Sequence, residues 1–313
     1  MARASGFIKE RTDIFYDTLT QIVDENKLQA SDIFNVDETA LSTVQRPRKV
    51  LAQKGKHEVG SMTSAERGTL TTGIFCMSAA GVFVPPMLVF KGLRFKPEWK
   101  IGAPPGTTFD MTENGWSNAE VFLNWLKTFV SFIKPSKDKQ CLIILDGHTS
   151  HTKNLEAIEY ARDHGVILLS LPSHTSHRLQ PLHVSFFGPL KTYFHKACEV
   201  YFRTHLTKIT VSHISHLLNE SYPKSAVVAT AINGFRATGI WPINKDLFED
   251  HDFAVHTNMP VVIRNDAVTR DQPNDDIRPS TSQIMKNGSD RPFMPETPCS
   301  SASVGTSRAK KIY

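Results

Sequence analysis

The sequence predicts an α/β domain built on a mixed sheet flanked by helices. Two β-rich runs, Leu70 to Ala79 and Val82 to Phe90, are separated by Ala80-Gly81, which reads as a hairpin. The continuous apolar run Cys141 to Leu145 has the composition of a strand buried on both faces, and Val166 to Leu171, apolar through Leu169, reads as another buried strand. A helical segment separates these two, and a hairpin followed by strand, helix, strand and helix is the order of a mixed α/β sheet.

Taken along the chain, residues 1–30 are expected to form a helical lead-in and residues 31–253 the main domain. Ile33 to Val36 reads as a short buried strand that runs into Asp37-Glu38. Ser117-Asn-Ala-Glu120 has the form of a capping box, in which hydroxyl and carboxylate satisfy the orphan amides of a helix start. The helix it opens places Phe122, Trp125, Leu126, Phe129 and Ile133 on one face. Cys141 to Leu145 stops abruptly at Asp146-Gly147; a helix follows from Asn154, and Gly165 is a C-terminal stop. Phe187, Leu190, Phe194, Ala197 and Tyr201 recur at helical spacing, and their aromatics read as core rather than as base-stacking platforms. A further helix spans Ser225 to Arg236, ahead of Gly239-Ile-Trp-Pro242. Composition changes near residue 254: six prolines and a Ser/Thr-rich stretch follow without apolar periodicity, so 254–313 is expected to be a disordered tail.

Composition excludes several classes. The 313 residues are enough to bury a sizeable core. No apolar run approaches the length that crosses a bilayer, and the first residues lack an apolar signal core, so neither membrane insertion nor secretion is expected. Cys76, Cys141, Cys198 and Cys299 are scattered, which fits a reducing compartment better than a disulfide framework or a cysteine zinc site. A net charge of +5 permits a nucleic-acid partner without arguing for one.

Asp37 and Asp146 each follow a buried strand, at the sheet edge where ligands of open α/β sheets collect; the bland alternative is a carboxylate that caps a turn. His174, His177 and His183, with His148 and His151, invite a zinc reading, but their spacing lacks the helical i, i+4 pair and no cysteine helps. Arg46, Arg48, Lys49, Lys54 and Lys56 form a basic stretch that serves phosphate contact or is a solvated loop. Lys191 and Lys196, on the long helix, are weaker options for phosphate contact. Arg308, Lys310 and Lys311 have the character of a short nuclear-import signal.

Several segments together carry a resemblance. They are Asn35-Val-Asp-Glu-Thr39, the basic stretch from Arg46 to Lys56, Leu145-Asp-Gly-His-Thr-Ser-His151 and Leu171-Pro-Ser-His-Thr-Ser-His177. Leu179-Gln-Pro-Leu182, Phe187-Gly-Pro-Leu-Lys191 and Gly234-Phe-Arg-Ala-Thr-Gly-Ile-Trp-Pro242 follow in order. This pattern resembles the DDE-superfamily endonuclease domain of pogo, Tigger and jerky-type transposases, over about residues 31–250. The resemblance implies a ribonuclease-H-like fold and metal-assisted phosphodiester cleavage and strand transfer. Asp37 and Asp146 match the first two acids of a site where two Mg²⁺ ions lie about 4 Å apart. It also implies DNA as partner and the nucleus as the place of action.

Two departures qualify that expectation. The third acid is replaced: the family's Leu-Gln-Pro-Leu-Asp reads Leu-Gln-Pro-Leu-His183 here. Histidine adds no negative charge and is a nitrogen ligand, better matched to Mn²⁺ or Zn²⁺ than to Mg²⁺. Only about 30 residues precede the domain, where family members carry helix-turn-helix units that read transposon ends. The expectation is thus a transposase-derived domain that binds DNA without sequence preference and is catalytically impaired. The alternatives are an active Mg²⁺- or Mn²⁺-dependent endonuclease using Asp37 and Asp146, and a Zn²⁺ or Mn²⁺ hydrolase using both with His183.

Overall fold

A computed structural model describes residues 7–44, 70–147 and 154–253. The basic residues Arg46, Arg48, Lys49, Lys54 and Lys56, the histidines His148 and His151, and the expected tail 254–313 lie outside the described residues.

Six strands make one sheet: β1 (Ile33–Ser42), β2 (Leu70–Ser78), β3 (Phe83–Lys91), β4 (Thr108–Thr112), β5 (Cys141–Leu145) and β6 (Val166–Ser170). Their spatial order is β4-β3-β2-β1-β5-β6. β1, β2 and β3 pair antiparallel, and β5 and β6 continue parallel on the other side of β1. Three antiparallel strands followed by two parallel ones, with the first strand at the junction, is the ribonuclease-H-like arrangement. β4 adds a parallel edge strand beyond β3.

β1 is longer than its apolar run. Asp37 and Glu38 lie inside it, because pairing with β2 continues to Ser42↔Leu70 and ladder hydrogen bonds are made by backbone whatever the side chain. β3 carries Pro85-Pro86, neither of which can donate to a ladder; the register with β2 shifts at this point, between Ile74 and Cys76. β6 departs from expectation. After Val166 its residues are half-buried as far as Leu169 and Ser170 is exposed, since it is the sheet's edge and not a central strand.

Helices cover both faces. α2 (Ala119–Ile133) and α3 (Leu155–Asp163) close one face, packing Phe122, Trp125, Leu126 and Phe129 onto Phe34, Val36, Ile143 and Leu145. The cap of α2 is Asn118 rather than Ser117: its side chain accepts from Val121 N–H at 2.9 Å, and Asn serves as well as Ser there. The other face is covered by α1 (Lys9–Asn26), α4 (Phe187–His205), α5 (Ile214–Ser225) and α6 (Val228–Ala237). Phe15, Tyr16 and Leu19 of α1 share that core with Leu142, Ile144, Phe186 and Phe235. The N-terminal helix is therefore part of the domain's own packing.

Candidate functional site

Strand alternation decides which way the acids of β1 point. Phe34 and Val36 pack toward α2, and Ile33 toward α4, so Asn35 and Asp37 fall on the α4 side and Glu38 on the α2 side. Asn35 is completely buried and uses both ends of its amide. Its Nδ2 donates to Ile144 O at 2.9 Å, and its Oδ1 accepts from Leu182 N–H at 3.0 Å. One side chain thus ties β1 to β5 and to the Leu-Gln-Pro-Leu segment. Gln180, also buried, donates to Val36 O at 3.4 Å.

The backbone from Leu182 to Phe186 is a turn of π-helix leading into α4, a local widening that recurs at functional sites. Gly234 of α6 lies against it: a Cβ there would stand 2.3 Å from Ser185 Oγ and 2.9 Å from Pro181 O. The glycine of the Gly234-to-Pro242 segment therefore lets α6 approach the π turn closely. Leu182 is fully buried, while His183 beside it is half-exposed and swings over β1.

His183 Nε2 lies 2.7 Å from Asp37 Oδ2, an ion pair whenever the ring is protonated. The approach is close rather than well aligned, and Oδ2 has no other hydrogen-bond partner. Burial pushes the Asp37 carboxyl above the usual carboxylate range; His183 pulls it down and the charge of Glu38 pushes it up again, with burial prevailing. His183, Phe187 and Lys191 follow one another at i, i+4 and i+8 along one stripe. The His183 ring meets Phe187 edge-on at 5.3 Å, and Lys191 Nζ sits 5.8 Å from the centre of the Phe187 ring. This puts Lys191 two turns from Asp37.

Asp146 stands just past the end of β5. The parallel ladder of β1 with β5 ends at Asn35↔Ile144, two residues before Asp37 on one strand and Asp146 on the other. Asp146 also lines a cleft of about 340 Å³ with Glu38, Trp116 and Ser117. Sequence motifs point to Asp37 and pass over its neighbour Glu38; alternation along the strand is the signal that separates them. Asn35 likewise stands out in the sequence only as part of a motif, and its bridging role depends on strand order.

Mg²⁺ takes a near-octahedral shell of oxygens. Here a nitrogen base occupies the near side of the first carboxylate, and among the described residues no three His, Cys, Asp or Glu side chains are gathered as a metal site. As arranged, the residues do not fit a two-Mg²⁺ centre. His174 and His177 lie around the single helical turn Ser176–Leu179, and nothing gathers them with His183 as zinc ligands.

Residues 67–217 match the family model described as DDE superfamily endonuclease, a stretch that contains Asp146 and His183 and begins after Asp37. That stretch of the chain is therefore similar to DDE superfamily endonucleases. A protein of Cochliobolus lunatus named MFS-type transporter clz9 is 27% identical over 236 residues, 73% of this chain and 25% of that protein. The chain spans about a quarter of that relative's length, and among the described residues no helix is long and apolar enough to cross a membrane. Solved structures similar to the chain include the Mos1 strand transfer complex, at 13% identity and a TM-score of 0.46 over 75% of this chain and 60% of that one. The Mos1 mariner paired end complex with Mn is similar at 16% identity and a TM-score of 0.42, over 71% and 62%.

Proposed function

We propose that this chain is a transposase-derived, nucleic-acid-binding domain whose phosphodiester chemistry is impaired because His183 stands where the third acid would be. The observation that carries this reading is the 2.7 Å approach of His183 Nε2 to Asp37 Oδ2. A ring nitrogen there offers positive charge or a proton to the carboxylate oxygen that a cation would otherwise use, and it subtracts one negative charge from the site. The partner is duplex DNA, bound through phosphates and without sequence preference, and the place of action is the nucleus. Lys191, on the stripe beside His183, and the basic residues Arg46, Arg48, Lys49, Lys54 and Lys56 neutralise those phosphates. Binding of Mg²⁺ or Mn²⁺ is weak, with Mn²⁺ ahead because it accepts nitrogen.

One observation favours a second reading, an active endonuclease: Asp146 lines one cleft with Glu38, the neighbour of Asp37 on β1. Two assays separate them. Fluorescence anisotropy on unrelated duplexes should give equal affinities, micromolar or weaker, that fall steeply with salt. Replacing Arg46, Arg48 and Lys49 together with Ala should flatten that salt slope by about 0.9 for each phosphate no longer neutralised. Nicking of supercoiled plasmid should be absent in wild type with either metal. Metal-dependent nicking that disappears in Asp37→Asn would establish the second reading, and strong preference for one DNA sequence would refute the first.

A further inference from the structure

Two clefts meet at one exposed side chain. The cleft that holds Glu38 and Asp146 adjoins a second, of about 280 Å³, that holds Lys91 and Asn114; both are lined by Ala40, Thr72 and Trp116. Trp116 is 57% exposed, whereas Trp99 and Trp125 are buried. An indole left in water forgoes the burial that makes tryptophan stabilising, so its position calls for another reason.

The turn beneath it is firmly held. Thr72 Oγ1 donates to Gly115 O at 2.7 Å, Thr112 Oγ1 donates to Trp116 O at 2.9 Å, and Trp116 N–H donates to Asn114 Oδ1 at 2.9 Å. Gly115 has φ +79°, and a Cβ there would come within 3.1 Å of Lys91 Cβ. The turn therefore lies flat against Lys91 and presents the indole between an acidic cleft and a basic one. A backbone turn fixed in advance lowers the entropy lost when a ligand stacks on the side chain it carries.

We propose that Trp116 is a stacking platform for an unpaired nucleobase, with Lys91 holding the adjoining phosphate. The proposal rests on the nucleic-acid reading above and adds to it a preference for frayed or overhanging ends. Glu38 and Asp146 repel phosphate, which keeps the backbone on the Lys91 side and leaves the base to cover the indole. Stacking is sequence-tolerant because every base has a π-face, so the device suits a domain without a sequence reader.

The test compares a blunt duplex with the same duplex carrying a short 3′ overhang that contains 2-aminopurine. Wild type should bind the overhang probe about tenfold more tightly, the value of one stacked base, and quench the 2-aminopurine emission. Trp116→Ala should abolish both the preference and the quenching while its blunt-duplex affinity and circular dichroism stay unchanged; Trp116→Phe should keep part of each. Lys91→Ala should weaken overhang binding and lower its salt slope by about 0.7, the value of one phosphate on a single strand. Equal binding of the two probes by wild type, or a preference that survives in Trp116→Ala, overturns the stacking platform and leaves the function intact. Binding to neither probe overturns both.

Discussion

Replacing His183 with aspartate tests the site through stability as well as through chemistry. Aspartate reaches about one bond less far than histidine Nε2, roughly 1.3 Å. Its oxygen would therefore stand roughly 4 Å from Asp37 Oδ2, compared with the present 2.7 Å. Two carboxylates about 4 Å apart repel by about 4 kcal/mol at an effective dielectric of 20 and by about 1 kcal/mol in water. Asp37 is buried but position 183 is half-exposed, so solvent screens the pair and the cost is about 2 kcal/mol. Oxygens bound to one Mg²⁺ at about 2.1 Å each are at most about 4.2 Å apart, so the same gap accepts a cation. Urea unfolding should show the His183→Asp protein about 2 kcal/mol less stable than wild type in EDTA. Millimolar Mg²⁺ should recover most of that loss, with little effect on wild type, and plasmid nicking should appear under the same conditions. A variant as stable as wild type in EDTA, or one that gains nothing from Mg²⁺ or Mn²⁺, would refute the claim that Asp37 and residue 183 face a shared cation position.

The remaining expectations concern the scaffold. Asn35→Ala removes the side-chain partner of Ile144 O and of Leu182 N–H, at about 1–3 kcal/mol each, so unfolding should cost about 2–6 kcal/mol less; a loss under about 1 kcal/mol would contradict the bridging role. Gly234→Ala forces a methyl into Ser185 Oγ and Pro181 O and should destabilise by about 1–3 kcal/mol. Adding Ser185→Ala should relieve only part of this, because the backbone oxygen remains; full recovery would mean that the clash is with the hydroxyl alone. Asp37 holds its proton more tightly folded than unfolded, so its contribution to stability is present below the ordinary carboxylate pKa, about 3.9, and is lost as pH rises through the folded value. Asp37→Asn should thus be more stable than wild type at neutral pH, with the difference shrinking toward about pH 4; an equal difference at both pH values in thermal melts would contradict this. Burial pushes the Cys141 and Cys198 thiols up to about 12 and Cys76 well above its ordinary value. A thiol reagent should therefore leave Cys76, Cys141 and Cys198 unmodified in the native protein and label them in denaturant.

Much of the domain is legible in the chain itself. The hairpin of β2 and β3, the wholly apolar β5 and the stripe of α2 announce themselves because side-chain periodicity reports which face of an element is buried. Asp37, Asp146 and His183 stand out by their place after apolar runs and in recurring motifs. Edge and centre are not legible: β6 opens with four apolar residues much as β5 does, and only strand order puts it at the rim, since a short apolar run looks the same with one neighbour or two. The extent of β1 through Asp37 and Glu38 is likewise set by β2, whose backbone pairs without regard to side-chain polarity. The tertiary structure alone makes Asn35 a bridge between segments 109 and 147 residues away. It alone brings His183 onto Asp37 across 146 positions, because a π turn braced by Gly234 carries residue 183 over the central strand. Local sequence determines which elements form and which residues bear chemistry; which of those residues touch depends on long-range packing, and no periodicity encodes it.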